Sequence, residues 1–568
     1  MAKKVESTKL NPRVQILLST GEVFEGDRGT TLEELLIGNV ETDAPIVGAV
    51  VNGELRELTY TVDMESKVTP VTMGDADGMR FYRRSLTFLL AAVFEELFPD
   101  NQLYIDHSVS SGGYFCRVNE PLTAEDIELL GNRMRELVER DLPFKREVVP
   151  LEEAVEYVRS RGYVDKVRLL AYRKKPTLVF YRLGDLRQYH HGYMVPSTGY
   201  LKWFSLVKTD DGLTLCFPRR HWPTALQSAP EFPKLLSTFR QYGDWLTALG
   251  ISSVGALNDA ITDGRSSEVI LVSEALHERR IAEIAGVIAG QQDKIRLVLI
   301  AGPSASGKTT FSKRLTVQLL ARGISPFPIE MDNFFVDRDK TPIDESGEFD
   351  FESLGAVDVE RLNHDLQGLI AGKTVRFPRY DFKQGLQLEG EEARISRDQI
   401  IILEGIHGLN PDLLPKIPAS QTYRVYTSAL TQLNLDRYNR VSTTDTRLIR
   451  RIVRDAAYRG YSAAQTIARW ESVRRGEKRY IFPFQENADI HFNSALAYES
   501  SALGPLAEPL LRQVPFGTKE YIEAKRLLVF IQWFLPLDIG LIPDNSILRE
   551  FVGGSILRKF TPWVSGTE

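Results

Sequence analysis

Two cysteines, Cys116 and Cys216, are the only thiols in 568 residues. They stand far apart and neither belongs to a CxxC. That excludes a disulfide framework and a zinc knuckle, and it suits a reducing cytosol. Long apolar runs are equally scarce. The longest, LLVFIQWFLPLDIGLI at 527–542, is broken by Gln532, Pro536 and Asp538. It falls short of the ~20 uninterrupted apolar residues a membrane-crossing helix needs, and it reads as a buried helix ending at Pro536. The opening stretch MAKKVESTKLNPRVQ has no apolar core of the signal-peptide kind. Nor does charge lean far to one sign: 70 basic against 76 acidic side chains leave a net charge of −6. Bulk electrostatics therefore recruits neither nucleic acid nor an acidic membrane. No repeat period and no low-complexity segment stands out. What is left is ordinary globular composition, 43% apolar and 26% charged, with an expected cytoplasmic location. A chain of this length calls for three or four domains.

Along the chain, residues 12–70 read as a small β-rich module. RVQILL, APIVGAVVNGEL and SKVTPVTM are strand-like, Asn52-Gly53 is a hairpin signal, and TTLEELLIGN is a short capped helix. Residues 71–228 form an α+β block with helices near 83–98 and 123–140. Residues 229–293 look like a helical connector. From 294 a strand–loop–helix rhythm runs to 495, which predicts an α/β fold built on a parallel sheet. The remainder, 496–568, reads as a helical tail.

The strongest chemical signal is IRLVLIAGPSASGKTTFSKRL. A buried strand ends at Ala301. Gly302, Pro303, Ser304, Ala305, Ser306, Gly307, Lys308 and Thr309 then fit G-x-x-x-x-G-K-[ST] without a mismatch, and an amphipathic helix continues through Thr310. Phosphates need this layout. Glycines let backbone N–H groups close around the anion, and the helix N-terminus adds positive potential. Lys308 reaches the outer phosphates and the Thr309 hydroxyl is a Mg²⁺ ligand.

A nucleotide loop does not by itself specify a kinase. IIILEGIHG is a second buried strand, ending in Glu404, where a carboxylate holds Mg²⁺ directly or through water, or else caps the following turn. PIEMDNFF is a third, ending in Asp332, placed either as the base that accepts a substrate hydroxyl's proton or as part of an Asp-Asn turn. Arg447, Arg450, Arg451 and Arg454 fall on one helical face with Arg459 just beyond. Such a stripe is either a solvated face or a lid of arginines that bridges phosphate oxygens.

The blocks GPSASGKTT, MDNFF, EFDFESLGAVDVERL, FPRYDF, ILEGIHG, TRLIRRIVRDAAYRG and FPFQENADIHF occur in the order seen in uridine kinases. Residues 294–495 therefore resemble the uridine kinase/phosphoribulokinase family. The resemblance implies a P-loop kinase that uses ATP and Mg²⁺ to phosphorylate a sugar hydroxyl, typically the 5′-hydroxyl of a nucleoside. It implies Asp332 as the catalytic base, Asp350 as the acid that holds ribose hydroxyls, and Tyr380 in the nucleoside pocket. Arg450, Arg451 and Arg454 would form the lid. Two positions depart from the pattern: Gly385 stands where these enzymes place a histidine, and Tyr461 where they tend to carry an arginine.

The amino-terminal half is similar to threonyl-tRNA synthetases. GTTLEELL, VVNGELRELTYTVDMESKVTPVT, FYRRSLTFLLAAVFEELFPD and MVPSTGYLKWFSL carry the likeness. It implies a TGS-like domain at 12–70 and, at 71–228, the second additional domain that edits mischarged tRNA. The family's HxxxH is here Arg84 to Phe88, and its Cys-x-x-x-His is His190 to Met194. An editing site of imidazoles and a thiol is therefore not expected to function. His190 and His191 are read as ordinary surface or core histidines rather than metal ligands.

These readings predict an ATP-dependent nucleoside kinase, expected as a homo-oligomer. A sugar-phosphate kinase, using Arg338, Lys340 or Arg379 against a second phosphate, is the alternative within the class. An RNA-binding regulatory NTPase is the alternative outside it.

Overall fold

The computed structural model describes residues 12–109, 112–190, 192–209, 212–227, 232–345 and 347–562; His191 lies outside them. The chain forms two compact units. One draws on Met1–Glu231, Asn434–Arg440 and Val514–Arg526, the other on Phe232–Leu433, Val441–Gln513 and Leu527–Glu568.

The first unit opens with a five-stranded sheet in the order Val23–Asp27, Arg13–Leu18, Ser66–Thr72, Ile46–Val51, Glu54–Glu57. Period-two alternation along Arg13–Leu18 turns Val14, Ile16 and Leu18 inward. The Asn52-Gly53 turn is the expected hairpin, with both residues at positive φ, 51° and 85°. The short helix Leu32–Leu36 is fixed by a capping box between Thr31 and Glu34. Next comes the buried helix Ala76–Leu97, longer at its start than the sequence pattern indicates. It packs with a four-stranded sheet (Leu103–Val109, Gly113–Val118, Ser205–Thr209, Gly212–Cys216) in one apolar core.

Two distant stretches complete this unit. Asn434 Nδ2 donates to the Ile105 and Asp106 carbonyls at 3.2 and 2.9 Å, and Arg437 pairs with Asp165 at 2.8 Å. Lys525 pairs with Glu54 at 2.6 Å, and Arg80 with Glu523 at 3.1 Å. The expected helical tail is thus not one body, because Val514–Arg526 folds into the first unit. Its helix Lys519–Ile531 also ends ahead of Pro536.

In the second unit the parallel sheet is present as expected. Its strands are β1 (Leu297–Ala301), β2 (Pro326–Glu330), β3 (Ile400–Glu404), β4 (Thr422–Ser428) and β5 (Ile490–Asn493). They lie in the order β2-β3-β1-β4-β5, every pairing parallel. β1 is flanked by β3 and β4, so its carboxyl end opens at the point where strand order reverses. That crevice is where ligands of open α/β sheets bind. Helix α1 (Lys308–Leu320) follows β1; α2 (Thr443–Tyr458) and α3 (Ala463–Tyr480) lie between β4 and β5; α4 (Glu499–Arg512) follows β5.

Residues 229–293, a connector by sequence pattern, are not one in the fold. Helices Pro233–Ala248, Val254–Thr262 and Ser266–Ala289 belong to this unit. Glu274 and Glu278, on the last of them, bind Arg314 of α1 at 3.2 and 2.6 Å. An apolar face and a buried ion pair make these helices a layer of the fold, not a linker.

Candidate phosphoryl-transfer site

The loop between β1 and α1 takes its shape from two left-handed residues, Ala305 (φ 57°) and Gly307 (φ 82°). Gly302 allows β4 to pass close by: a Cβ there would lie 1.9 Å from the Thr427 carbonyl oxygen. α1 then begins at Lys308, so its first amides face the loop.

Three of the expected residues meet at this point. The Thr309 hydroxyl donates to Glu404 Oε2 at 3.2 Å, and Lys308 Nζ stands 3.9 Å from Glu404 Oε1. Lys308 Nζ also donates to the Pro303 carbonyl at 3.3 Å. Burial pushes the Glu404 carboxyl up to about 7, opposed by Lys308 and reinforced by Asp332, Glu550 and Glu330. Glu330 is its register neighbour on β2. Asp332, in the 3₁₀ turn Met331–Phe334 after β2, is crowded by protein yet accessible to solvent. That crowding raises its pKa, with Lys308 acting the other way. A hydroxyl and a carboxylate, with room for water, form a donor set that suits Mg²⁺, which binds few protein ligands and keeps several waters.

The arginine stripe of α2 is not a solvated face. Arg447 is buried against Glu477, stacks on Trp470 at 5.4 Å and donates to the Ser304 carbonyl at 2.9 Å. Glu477 accepts from the Ser304 amide at 3.1 Å, so this ion pair grips the loop from both sides. Arg450 departs from the lid assignment. It is fully buried, donating through Nε to Glu499 at 2.6 Å and through a terminal nitrogen to the Ser494 carbonyl at 2.9 Å. Burial of an ion pair commits that guanidinium to the fold. Arg451 reaches the Ser304 hydroxyl at 2.9 Å and pairs with Asp455, as does Arg454.

Of the residues expected to bind the acceptor, Asp350 accepts from the Tyr480 hydroxyl at 3.1 Å and from the Glu352 amide at 3.2 Å. Tyr380 lies on the hairpin Val375–Asp381/Leu386–Ala393, edge-on to Phe335 at 5.6 Å and Phe382 at 5.1 Å. Gly385 turns this hairpin at φ 74°. A Cβ on it would lie 2.8 Å from the Arg338 guanidinium carbon, and Arg338 donates to the Phe382 carbonyl at 2.7 Å. Arg338 therefore fills the space that Gly385 leaves. Tyr461 is stacked under Arg469 at 4.7 Å.

Sequence reasoning misses Glu477, Glu352 and Glu550. A lone glutamate in RRGEKRY or ILREF carries no spacing signal, and only the folded chain brings these acids to the loop.

In the first unit, Arg84 is half-buried and donates to the Tyr193 carbonyl. Phe88 packs on His190 at 5.4 Å, and Met194 is buried beside them. Burial holds His190 well below the ordinary imidazole range. Among the described residues no group of three His, Cys, Asp or Glu side chains is placed to hold a metal ion. No helix among them is long and apolar enough to cross a membrane.

Known proteins match two regions of the chain. Residues 297–498 match the model of the Phosphoribulokinase / Uridine kinase family. The amino-terminal region is 35% identical over 197 residues to the threonine–tRNA ligase of Aromatoleum aromaticum, covering 34% of this chain and 31% of the ligase. The same figures hold for the threonine–tRNA ligase of an Azoarcus species. The chain thus spans about a third of the length of these curated relatives. Among solved structures, one described as a possible uridine kinase from Bacillus stearothermophilus is 20% identical. It covers 35% of this chain and 89% of its own, with a TM-score of 0.25. Residues 297–498 thus match the phosphoribulokinase/uridine kinase family, in one chain with a region that matches threonine–tRNA ligase.

Proposed function

We propose that the protein transfers the γ-phosphoryl group of ATP to a sugar hydroxyl of a nucleoside. The observation that carries this reading is the meeting of Lys308, Thr309 and Glu404 at the carboxyl end of β1, with Asp332 at the end of β2. Thr309 and Glu404 are the residues that would hold Mg²⁺. When bound, that ion neutralises phosphate charge.

The chain's own groups supply the rest. Asp332 accepts the proton of the acceptor hydroxyl as its oxygen bonds to the γ-phosphorus and the bond to the bridging oxygen of ADP breaks. Its pKa, raised by burial, makes it a better base than an ordinary carboxylate. Lys308 balances the charge on the outer phosphates, and Arg451 with Arg454 supplies guanidinium forks beside the loop. Asp350 is suited to accept hydrogen bonds from ribose hydroxyls. With Gly385 at the hairpin turn and Tyr461 stacked under Arg469, base reading is relaxed or shifted rather than strictly pyrimidine.

A second reading is favoured by Arg338, whose guanidinium occupies the space over Gly385 near Tyr380. A cation there suits an acceptor that bears its own anionic group, as a sugar phosphate does.

An ADP-release screen over uridine, cytidine, adenosine, guanosine, inosine and pentose phosphates tests both. Turnover of nucleosides with less than about 10³-fold preference for pyrimidines supports the first reading. Turnover of sugar phosphates alone supports the second, and acceptor-independent ATP hydrolysis alone removes both.

A further inference from the structure

We propose that the segment Asp544–Phe560 is an autoinhibitory latch, in which Glu550 occupies the α1 amide that a nucleotide phosphate requires. The proposal rests on the kinase reading of the loop, and it concerns residues beyond the family match, which ends at 498.

α1 begins at Lys308, so Thr310 is its third residue and the N–H of Thr310 has no acceptor within the helix. Amides in this position point out of the helix end toward a bound anion. Here that N–H donates to Glu550 Oε2 at 3.2 Å, and the Thr310 hydroxyl donates to the same oxygen at 2.9 Å. Three further contacts seat the segment. Ile547 lies so close to the loop that a Cβ on Gly307 would be 2.5 Å from it. The Phe551 ring covers the Arg450 guanidinium at 5.0 Å. Lys313, one turn further along α1, donates to the Leu557 and Arg558 carbonyls at 2.8 and 3.2 Å.

Electrostatics makes this contact exclusive. Among the described residues no cation pairs with Glu550, whose charge is balanced by the helix end and adds to the negative field that raises Glu404. A phosphate and a carboxylate cannot share one N–H, and side by side they repel. Nucleotide binding therefore requires Glu550 to leave. Gly553 and Gly554, at φ 91° and 75°, separate the helical turn that carries Glu550 from the part anchored by Lys313. That glycine pair is the natural hinge. The cost of opening lowers the apparent nucleotide affinity in proportion to the fraction of molecules with the latch released.

The test uses the full chain titrated calorimetrically with ADP and Mg²⁺, as wild type and as Glu550→Gln, which keeps shape and removes charge. Hydrogen exchange of peptides from 544–560 is followed in the wild type with and without ADP. We expect Glu550→Gln to bind ADP at least about fivefold more tightly, the scale of one charge-assisted hydrogen bond lost from the closed state. We also expect exchange in 544–560 to rise when ADP binds. Equal or weaker binding by Glu550→Gln, with exchange unchanged or slowed, overturns the latch while leaving the nucleotide site intact. If the variant fails to fold, slower exchange in the ADP-bound wild type overturns it alone. No binding by either protein overturns the kinase reading together with the latch.

Discussion

The Thr309 hydroxyl and the Glu404 carboxylate lie in hydrogen-bond contact at 3.2 Å, although 95 residues separate them in sequence. Parallel pairing of β1 with β3 produces this meeting, because it sets Ile300 beside Glu404 and brings both strand ends to one edge. Lys308 is the next charge out, 3.9 Å from the same carboxylate. A hydroxyl, a carboxylate and an ammonium thus meet where the loop leaves the sheet edge.

Asp332 carries the first prediction. Asp332→Asn keeps the side chain's shape and removes its proton acceptor. ATP binding should persist while kcat falls by at least about 10²-fold, the usual scale of general-base catalysis. Lys308→Ala should instead weaken nucleotide binding itself. Steady-state kinetics beside a nucleotide titration separates the two, and near-wild-type turnover in Asp332→Asn would falsify the base assignment.

Two neighbouring arginines of α2 should behave differently. Arg450→Met leaves the buried Glu499 carboxylate without its partner. Loss of one member of a buried pair costs about 3–5 kcal/mol, so denaturant unfolding should show a large drop in stability. Arg451→Met removes the contact with the Ser304 hydroxyl at a more open position. It should lower turnover with a stability loss of about 1 kcal/mol or less. The reverse pattern would return Arg450 to the lid.

The synthetase-like unit should not deacylate mischarged tRNA. Arg84, Phe88 and Met194 stand where the resemblance implies the editing side chains, and His190 is buried against Phe88. Seryl-tRNA incubated with the protein should hydrolyse at the background rate. Clear hydrolysis that survives Lys308→Ala would contradict this.

Stability of the second unit should fall in mild acid. His277 is buried, with Nε2 3.1 Å from the Ala495 carbonyl, and burial with Arg314 nearby depresses its pKa to about 3. An unfolded histidine titrates near 6.5. The unfolded chain therefore binds the proton more readily, so the histidine's stabilising effect is complete above pH ~6.5 and is lost as pH falls toward 3. The slope reaches about 1.4 kcal/mol per pH unit for one such group. His407, depressed to about 4, adds in the same direction. His277→Gln keeps a donor toward Ala495 without a titrating ring. Denaturation midpoints followed from about pH 7 to pH 4 should decline less steeply in that variant.

Much of the site is legible in the amino-acid sequence. The phosphate loop is a local motif whose glycines and lysine act within a few residues, and each acid at a strand end announces itself by the apolar run ahead of it. Gly385 marks a departure, but its filling by Arg338 cannot be read, because the two approach only when the hairpin folds back. The arginine spacing on α2 establishes which residues share a face. It does not say that Arg447 and Arg450 are buried in ion pairs with Glu477 and Glu499 while Arg451 stands at the loop.

By itself the sequence determined the phosphate cradle, the parallel sheet and the loss of the editing residues, since each follows from short-range pattern or side-chain identity. The tertiary structure alone decided that Ser266–Ala289 is a packed layer, that Val514–Arg526 folds with the first unit, and that Glu550 sits on the Thr310 amide. Those outcomes depend on contacts between segments far apart in the chain, where a lone glutamate or an apolar helix face carries no mark of its partner. Local chemistry is written in neighbouring residues, whereas burial and charge pairing are settled only when distant surfaces compete for the same contact.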